Sequence, residues 1–128
     1  RRRDDVARLI GEQQQRRNAP PAAREAAQRL ADPRTVAVVT GQQAGLFGGP
    51  LFTLLKALTA LKLAQKVARE HGVPAVAIFW IDAEDHDWDE VRSCTVFDEA
   101  LTARSASLPP RPPGDPAPVA SVRLDHHI

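Results

Sequence analysis

Two uninterrupted apolar runs, separated by one long amphipathic segment, constrain this chain more than any other feature. Val36-Ala37-Val38-Val39 is the first run, and Val76-Ala77-Ile78-Phe79-Trp80-Ile81 is the second. Neither run alternates, which is the pattern of strands covered on both faces. Between them Leu51, Leu54, Leu55, Leu58 and Leu61 recur at helical spacing, opposite Thr53, Lys56, Thr59, Lys62, Lys66 and Arg69. Gly49 is placed to cap this helix and Pro50 to open it. The helix is expected to run to about residue 70, with His71-Gly72 as its stop and Gly72 fit for the left-handed cap, and Pro74 precedes the second run. The order strand, helix, strand predicts two parallel strands joined by a right-handed crossover. The expected class is α/β.

The flanks are weaker. Residues 4–18 read as a helix with a narrow stripe of Val6, Leu9 and Ile10. Pro21 opens a second helix to about residue 30, with Ala22, Ala26, Ala27 and Leu30 on its apolar side. Both are expected to be peripheral, which divides the chain into N-terminal helices at 1–34 and a core at 35–128. Residues 91–97 read as a third, more polar strand or a connecting segment. Pro109, Pro110, Pro112, Pro113, Pro116 and Pro118 exclude a helix or central strand and predict a plain connector. A further strand is expected to start within 119–124.

Composition removes several function classes. The 128 residues allow one domain with a modest core. Lys plus Arg is 17 against 16 for Asp plus Glu, so net charge argues for neither nucleic acid nor a membrane as partner. Arg1-Arg2-Arg3 is expected to be a solvated basic tip. With no methionine, the sequence is expected to be a trimmed or partial one. Cys94 is the sole cysteine, so no intrachain disulfide forms, in keeping with a reducing cytoplasm. No base adjoins Cys94, which reads as structural. No apolar stretch approaches the ~20 residues of a spanning helix.

The chemistry-bearing motifs follow the two apolar runs. Thr40-Gly41-Gln42-Gln43-Ala44-Gly45-Leu46-Phe47-Gly48-Gly49-Pro50 follows the first. Glu84-Asp85-His86-Asp87 follows the second. In a β-α-β unit both fall at the carboxyl ends of neighbouring parallel strands, where open α/β sheets bind ligands. A glycine turn at a helix start suits an anion or nucleotide, and the amides of residues 48–52 are expected to face an open cleft. A structural tight turn is the alternative. The turn is not a Walker A loop, because no Gly-Lys-Ser/Thr closes it and Lys56 lies inside the helix. It also lacks the Gly-x-Gly of a dinucleotide fingerprint. Gln42 and Gln43 are candidate hydrogen-bonding groups for a ligand, or a solvent-facing pair.

Asp82, Glu84, Asp85, Asp87, Asp89 and Glu90 crowd negative charge around His86. Such crowding costs energy unless a cation, a basic side chain or a shared proton offsets it. A carboxylate–imidazole cluster suits proton transfer, and magnesium bridging carboxylates and phosphates fits the same residues. A solvated acidic loop is the alternative. Trp80 is expected in the core, and Trp88 packs or covers a pocket. His71 reads as an exposed helix-end residue. His126 and His127 are adjacent and point apart on a strand, a poor chelating geometry.

These residues resemble the bacillithiol-biosynthesis cysteine-adding enzyme family, BshC. One carrying stretch runs from Val38 through the glycine motif to Leu51-Phe52-Thr53-Leu54-Leu55-Lys56-Ala57. The other is Phe79-Trp80-Ile81-Asp82-Ala83-Glu84-Asp85-His86-Asp87, ending at Glu90-Val91. The resemblance covers about residues 35–91. It implies the N-terminal part of a Rossmann-like parallel sheet, from a longer protein with a C-terminal coiled coil. It implies a ligase that joins the cysteine carboxyl to the amine of glucosaminyl-malate, with ATP as activator, magnesium as a candidate cofactor, and a homodimer at full length. On this reading Gly41, Gln42, Gln43, Gly45, Gly48, Gly49 and Thr53 hold the nucleotide. His86, Asp85 and Asp87 are the catalytic candidates, and Glu84, Asp85 and Trp88 contact substrate. The fragment alone is expected to be inactive. An NAD-dependent oxidoreductase, with Asp82 on the ribose, and a non-catalytic fragment are the other readings.

Overall fold

The computed structural model describes residues 2–112, 114 and 117–123. The expectations for Arg1, Pro113, Pro116, Leu124, His126 and His127 lie outside them. In chain order the elements are α1 (Arg2–Arg16), α2 (Pro21–Arg29), β1 (Val36–Gln43), α3 (Leu51–His71), β2 (Ala75–Asp82), α4 (Trp88–Val91), β3 (Ser93–Phe97) and β4 (Ala103–Ser107). Single 3-10 turns occupy Leu46–Gly48 and Val119–Ser121. The last of these replaces the strand expected to start there. With Pro118 extended before it and Val122 extended after it, only one turn of helix closes.

β1 and β2 form a parallel pair. Val36 N donates to Pro74 O at 2.8 Å near one end, and Ala44 N donates to Asp82 O at 3.1 Å at the other. The sequence separation is identical at both ends, as an unslipped parallel ladder requires. The α/β class with a parallel sheet is thereby observed. β1 is longer than the apolar run, because Thr40, Gly41, Gln42 and Gln43 continue the strand. The glycine motif therefore starts inside the sheet, and only its second half is loop.

The chain forms two compact units, Arg1–Thr40 with Lys56–Phe79 and Gly41–Leu55 with Trp80–Ile128. In the first, Ala7, Leu30 and Val76 make the buried cluster, with Ile10, Ala26 and Ile78 against it. The inward side of α1 is thus Ala7 and Ile10, while Val6 and Leu9 are exposed. Thr35 is fully buried, and its hydroxyl donates to Arg29 O at 2.6 Å. Arg3 is not merely solvated. Its Nη1 donates to Thr35 O at 2.8 Å, and at 3.3–3.4 Å to Leu30 O and Asp32 O. It thereby bonds Leu30 O, at the end of α2, and two carbonyls of the stretch between α2 and β1.

Two core expectations fail for one reason. Val39, Trp80 and Ile81 are exposed rather than sandwiched, Trp80 at 67%. Along α3 the buried residues are Ala60 and Ala64, while Leu51, Leu54, Leu55, Leu58 and Leu61 all face outward. Burial on both faces needs neighbouring strands and covering layers. Among the described residues this sheet has two strands.

In the second unit, β3 and β4 form an antiparallel hairpin from Ser93↔Ser107 to Phe97↔Ala103. β4 was not expected. Its residues are all exposed, so no apolar alternation marks it. Asp98 closes the hairpin: its Oδ1 accepts from Ala100 N at 3.0 Å and Thr102 N at 2.9 Å, and its Oδ2 accepts from Arg104 Nε at 2.9 Å. These partners, the Thr102 amide foremost, hold its carboxyl below the usual range. A lowered folded-state pKa means the stabilisation is complete above the unfolded value of about 3.9. It is lost as pH falls through the lowered value. Amide exchange in the hairpin is therefore expected to be flat from pH 7 to about 4 after correction for intrinsic rates, and to rise only below that. Asp98→Asn should remove the acid limb. An unchanged limb in that variant would show that other groups titrate.

Candidate active site

The candidate residues all belong to the second unit, so their mutual geometry is defined. β1 and β2 run out side by side, and the two motifs are bonded to each other directly. Ala44 N donates to Asp82 O, and Gln43 Nε2 donates to Glu90 Oε2 at 2.9 Å. Gln42 Nε2 in turn donates to Gln43 Oε1. The glutamine pair is therefore structural as well as polar: it ties the glycine strand to the acidic segment.

Each glycine has its own reason. A Cβ on Gly41 would lie 2.6 Å from Trp80 O, so this position lets two strands approach. A Cβ on Gly45 would meet Gly49 Cα at 2.9 Å, where the turn folds against itself. Gly48 and Gly49 have φ of +89° and +79°. Their amides are not aimed outward. Gly48 N donates to Gly45 O and Gly49 N to Leu46 O, both at 3.0 Å. This corrects the expectation of outward amides at Gly48 and Gly49, the first two of residues 48–52. A 3-10 turn at Leu46–Gly48 uses those donors internally before α3 begins. The positive φ also means that valine at either position strains the backbone, so such variants test folding as much as binding.

Thr53 supplies a different signal. Its Oγ1 is buried and has no hydrogen-bond partner among the described residues. It lies in the first turn of α3, 3.3 Å from where a Gly49 Cβ would stand. An orphaned hydroxyl beside a helix N-terminus fits an anionic oxygen.

Phe47 also departs from the ordinary. It is 71% exposed yet sits at φ +52°, ψ +28°. Holding a bulky residue there costs about 1 kcal/mol or more. Phe47→Asn is expected to raise the melting temperature, by an amount equivalent to up to about 1 kcal/mol, since asparagine tolerates that region. A lower melting temperature would show that the exposed ring contributes more than the strain costs.

In the acidic segment, short local bonds offset the crowded charge. Asp85 Oδ1 accepts from Asp87 N at 3.0 Å. That bond is the main reason its carboxyl titrates below the usual range; the His86 amide, Gln43 and the His86 charge add to it, and desolvation opposes it. Asp87 caps α4, accepting from Glu90 N at 3.3 Å. Asp89 pairs with Arg92 at 2.7 Å. Glu84 and His86 are exposed, and Asp85 and Trp88 are half-buried. Among the described residues no group of three His, Cys, Asp or Glu side chains is placed to hold a metal by itself. Magnesium is commonly held by one or two carboxylates plus substrate phosphates, so an ion held jointly with substrate needs no such group.

The chain itself engages Trp88. Its indole N–H donates to Pro109 O at 2.9 Å, and the Arg111 guanidinium stacks 4.4 Å from the ring centroid. Glu90 and Arg111 are the participants that sequence reasoning left out of the site. Their partners lie 47 and 23 residues away along the chain, and no local pattern signals such pairings.

Parallel strands ending in a glycine turn and a carboxylate–imidazole segment are the arrangement of an α/β core of Rossmann-like type. The chain belongs to the bacillithiol biosynthesis BshC family: the model of the family's N-terminal Rossmann-like domain matches residues 1–127. Curated relatives agree. The chain is 49% identical over 96 residues to a "Putative cysteine ligase BshC" of Solibacter usitatus, covering 75% of this chain and 18% of that protein. It is 42% identical over 112 residues to the protein of the same name in Chlorobaculum tepidum, covering 82% and 20%. A third, from a Geobacillus species, is 40% identical over 101 residues, covering 79% and 18%. The chain thus spans about a fifth of the length of the curated relatives it matches. No helix among the described residues is long and apolar enough to cross a membrane.

Proposed function

We propose that this chain supplies part of the active site of a cytoplasmic ligase, homodimeric at full length, that forms an amide between cysteine and glucosaminyl-malate in bacillithiol biosynthesis. The observation that carries the reading is the direct tie between the glycine motif and the acidic motif, Gln43 to Glu90 and Ala44 to Asp82. Family membership favours it over an NAD-dependent oxidoreductase.

ATP, when bound, supplies the activation that a carboxylate needs before an amine can displace an oxygen from it. The residues that would hold its phosphates are Thr53, through the orphaned Oγ1, and the turn of Gly45, Gly48 and Gly49 that keeps that hydroxyl close. Gly41, Gln42 and Gln43 set the position of this turn. His86 takes the proton from the attacking amine. Asp85, whose carboxyl the Asp87 amide holds below the usual range, orients the substrate ammonium or amine. Asp87 serves chiefly through its cap, which shapes the segment, and Glu84 offers an exposed carboxylate to the amino sugar.

The test uses a full-length protein carrying this sequence, incubated with cysteine, glucosaminyl-malate and ATP. Thiol product should form with stoichiometric nucleotide turnover, and the 128 residues alone should give none. Product formed without any nucleotide would remove the activation step. Absence of product with every nucleoside triphosphate would remove the ligase reading.

A further inference from the structure

The proline-rich segment is more than a connector. It leaves the hairpin at Leu108, whose N donates to Arg92 O at 2.8 Å while its O accepts from Arg92 Nη1 at 2.9 Å. It then crosses Trp88, bonded through Pro109 O to the indole N–H. It returns along the acidic segment, where Val119 N donates to Asp85 O at 2.9 Å and Ala120 N to Ala83 O at 2.8 Å. The segment is thus tied at both ends to the stretch that carries His86.

Its prolines donate no backbone hydrogen bond, which leaves the strap few amides with which to bond itself. Arg111 supplies further donors. Its Nη1 donates to Ala117 O, and its Nη2 lies 3.3 Å from Pro118 O and 3.4 Å from Ser121 Oγ. Its guanidinium plane meanwhile covers the Trp88 ring. One side chain therefore joins the outgoing limb, the returning limb and the indole. The planar fork of arginine suits this role, and lysine lacks it.

We propose that Arg111 and Trp88 are positioning residues: they clasp the proline-rich strap onto the backbone of Ala83 and Asp85 and so fix the Asp85 carboxylate and the His86 imidazole for reaction. The proposal rests on the ligase reading for its kinetic consequence, and on the strap's own bonds for its structural one. Misplacing reacting groups lowers turnover with little change in how tightly substrate is held. The clasp therefore belongs to kcat.

The experiment compares full-length wild type with Arg111→Ala, Arg111→Lys and Trp88→Phe. Two quantities are read: amide exchange at Val119, Ala120 and residues 84–87, and kcat and KM for glucosaminyl-malate. Arg111→Ala should speed exchange in both stretches about tenfold and lower kcat about tenfold, with KM changed less than kcat. Arg111→Lys, keeping the charge without the fork, should fall between. Trp88→Phe, keeping a ring under the cation but losing the bond to Pro109, should do the same. If Arg111→Ala does not fold, Arg111→Lys carries both measurements. Unchanged exchange overturns the clasp. Faster exchange with wild-type kcat overturns the positioning role. Higher KM at constant kcat does so too, and makes Trp88 a substrate contact instead. Should wild type form no amide at all, the ligase reading fails by itself. The exchange rates at residues 84–87 then decide whether the clasp orders that segment.

Discussion

Replacing His86 by alanine, or Asp85 by asparagine, is expected to cut amide formation by on the order of 10²-fold or more in the full-length enzyme while leaving the fold intact. The expected intactness has a structural basis for His86. Its side chain is exposed and forms no hydrogen bond among the described residues, so its removal frees no buried partner. Asp85 is different. Its carboxylate accepts from the Asp87 amide, and asparagine keeps an acceptor at that place while removing the charge. The two variants therefore separate proton transfer from charge. Loss in His86→Ala alone would assign the segment to base catalysis. Loss in Asp85→Asn alone would assign it to binding of an ammonium or a cation. Normal turnover in both, with unaltered melting, would make the segment a solvated acidic turn.

The second large effect is on stability. Gly41→Ala would put a Cβ 2.6 Å from a backbone oxygen of β2 and 3.0 Å from Trp80 Cβ. Backbone cannot swing aside as a flexible side chain does, so β1 and β2 must part locally. A cost of about 1–3 kcal/mol is expected, as for other overpacked sites. Activity should fall with it, because Gln43 and Ala44 lie just beyond and carry the bonds to Glu90 and Asp82. Gly11→Ala is the matched control. Gly11 lies within α1 with nothing within 4 Å of its would-be Cβ. There the same added methyl should stabilise by up to about 1 kcal/mol through helix propensity alone. Equal effects of the two variants in chemical denaturation would refute the close-approach reading of Gly41.

The strand–helix–strand unit was legible because its signals are local. Apolar runs and 3.6-residue spacing report secondary structure wherever backbone hydrogen bonds and side-chain periodicity decide it. The same locality explains the errors. The leucine row of α3 shows which side of the helix is apolar, but not whether anything covers it. Ala60 and Ala64 took the buried positions. The hairpin strand β4 carries no apolar alternation, and its turn places Leu101 at φ +58°, where sequence rules look for glycine or asparagine. Asp98 compensates through three accepted bonds that nothing in the order of residues announces.

The candidate site divides in the same way. By itself the sequence determined that a glycine turn and a carboxylate–imidazole segment follow two successive strands, since strand order and strand ends are properties of the local pattern. The family resemblance added the chemistry proposed for such a pair. Only the tertiary structure decided which groups remain available for it. The Gly48 and Gly49 amides, expected to face outward, are spent inside a 3-10 turn, while Thr53 Oγ1 is left buried and without a hydrogen-bond partner among the described residues. Gln43 reaches Glu90, and Arg111 reaches Trp88. Those pairings depend on where distant stretches of chain arrive in space. Hydrogen-bond donors and acceptors are common along any sequence, so only three-dimensional proximity selects among them.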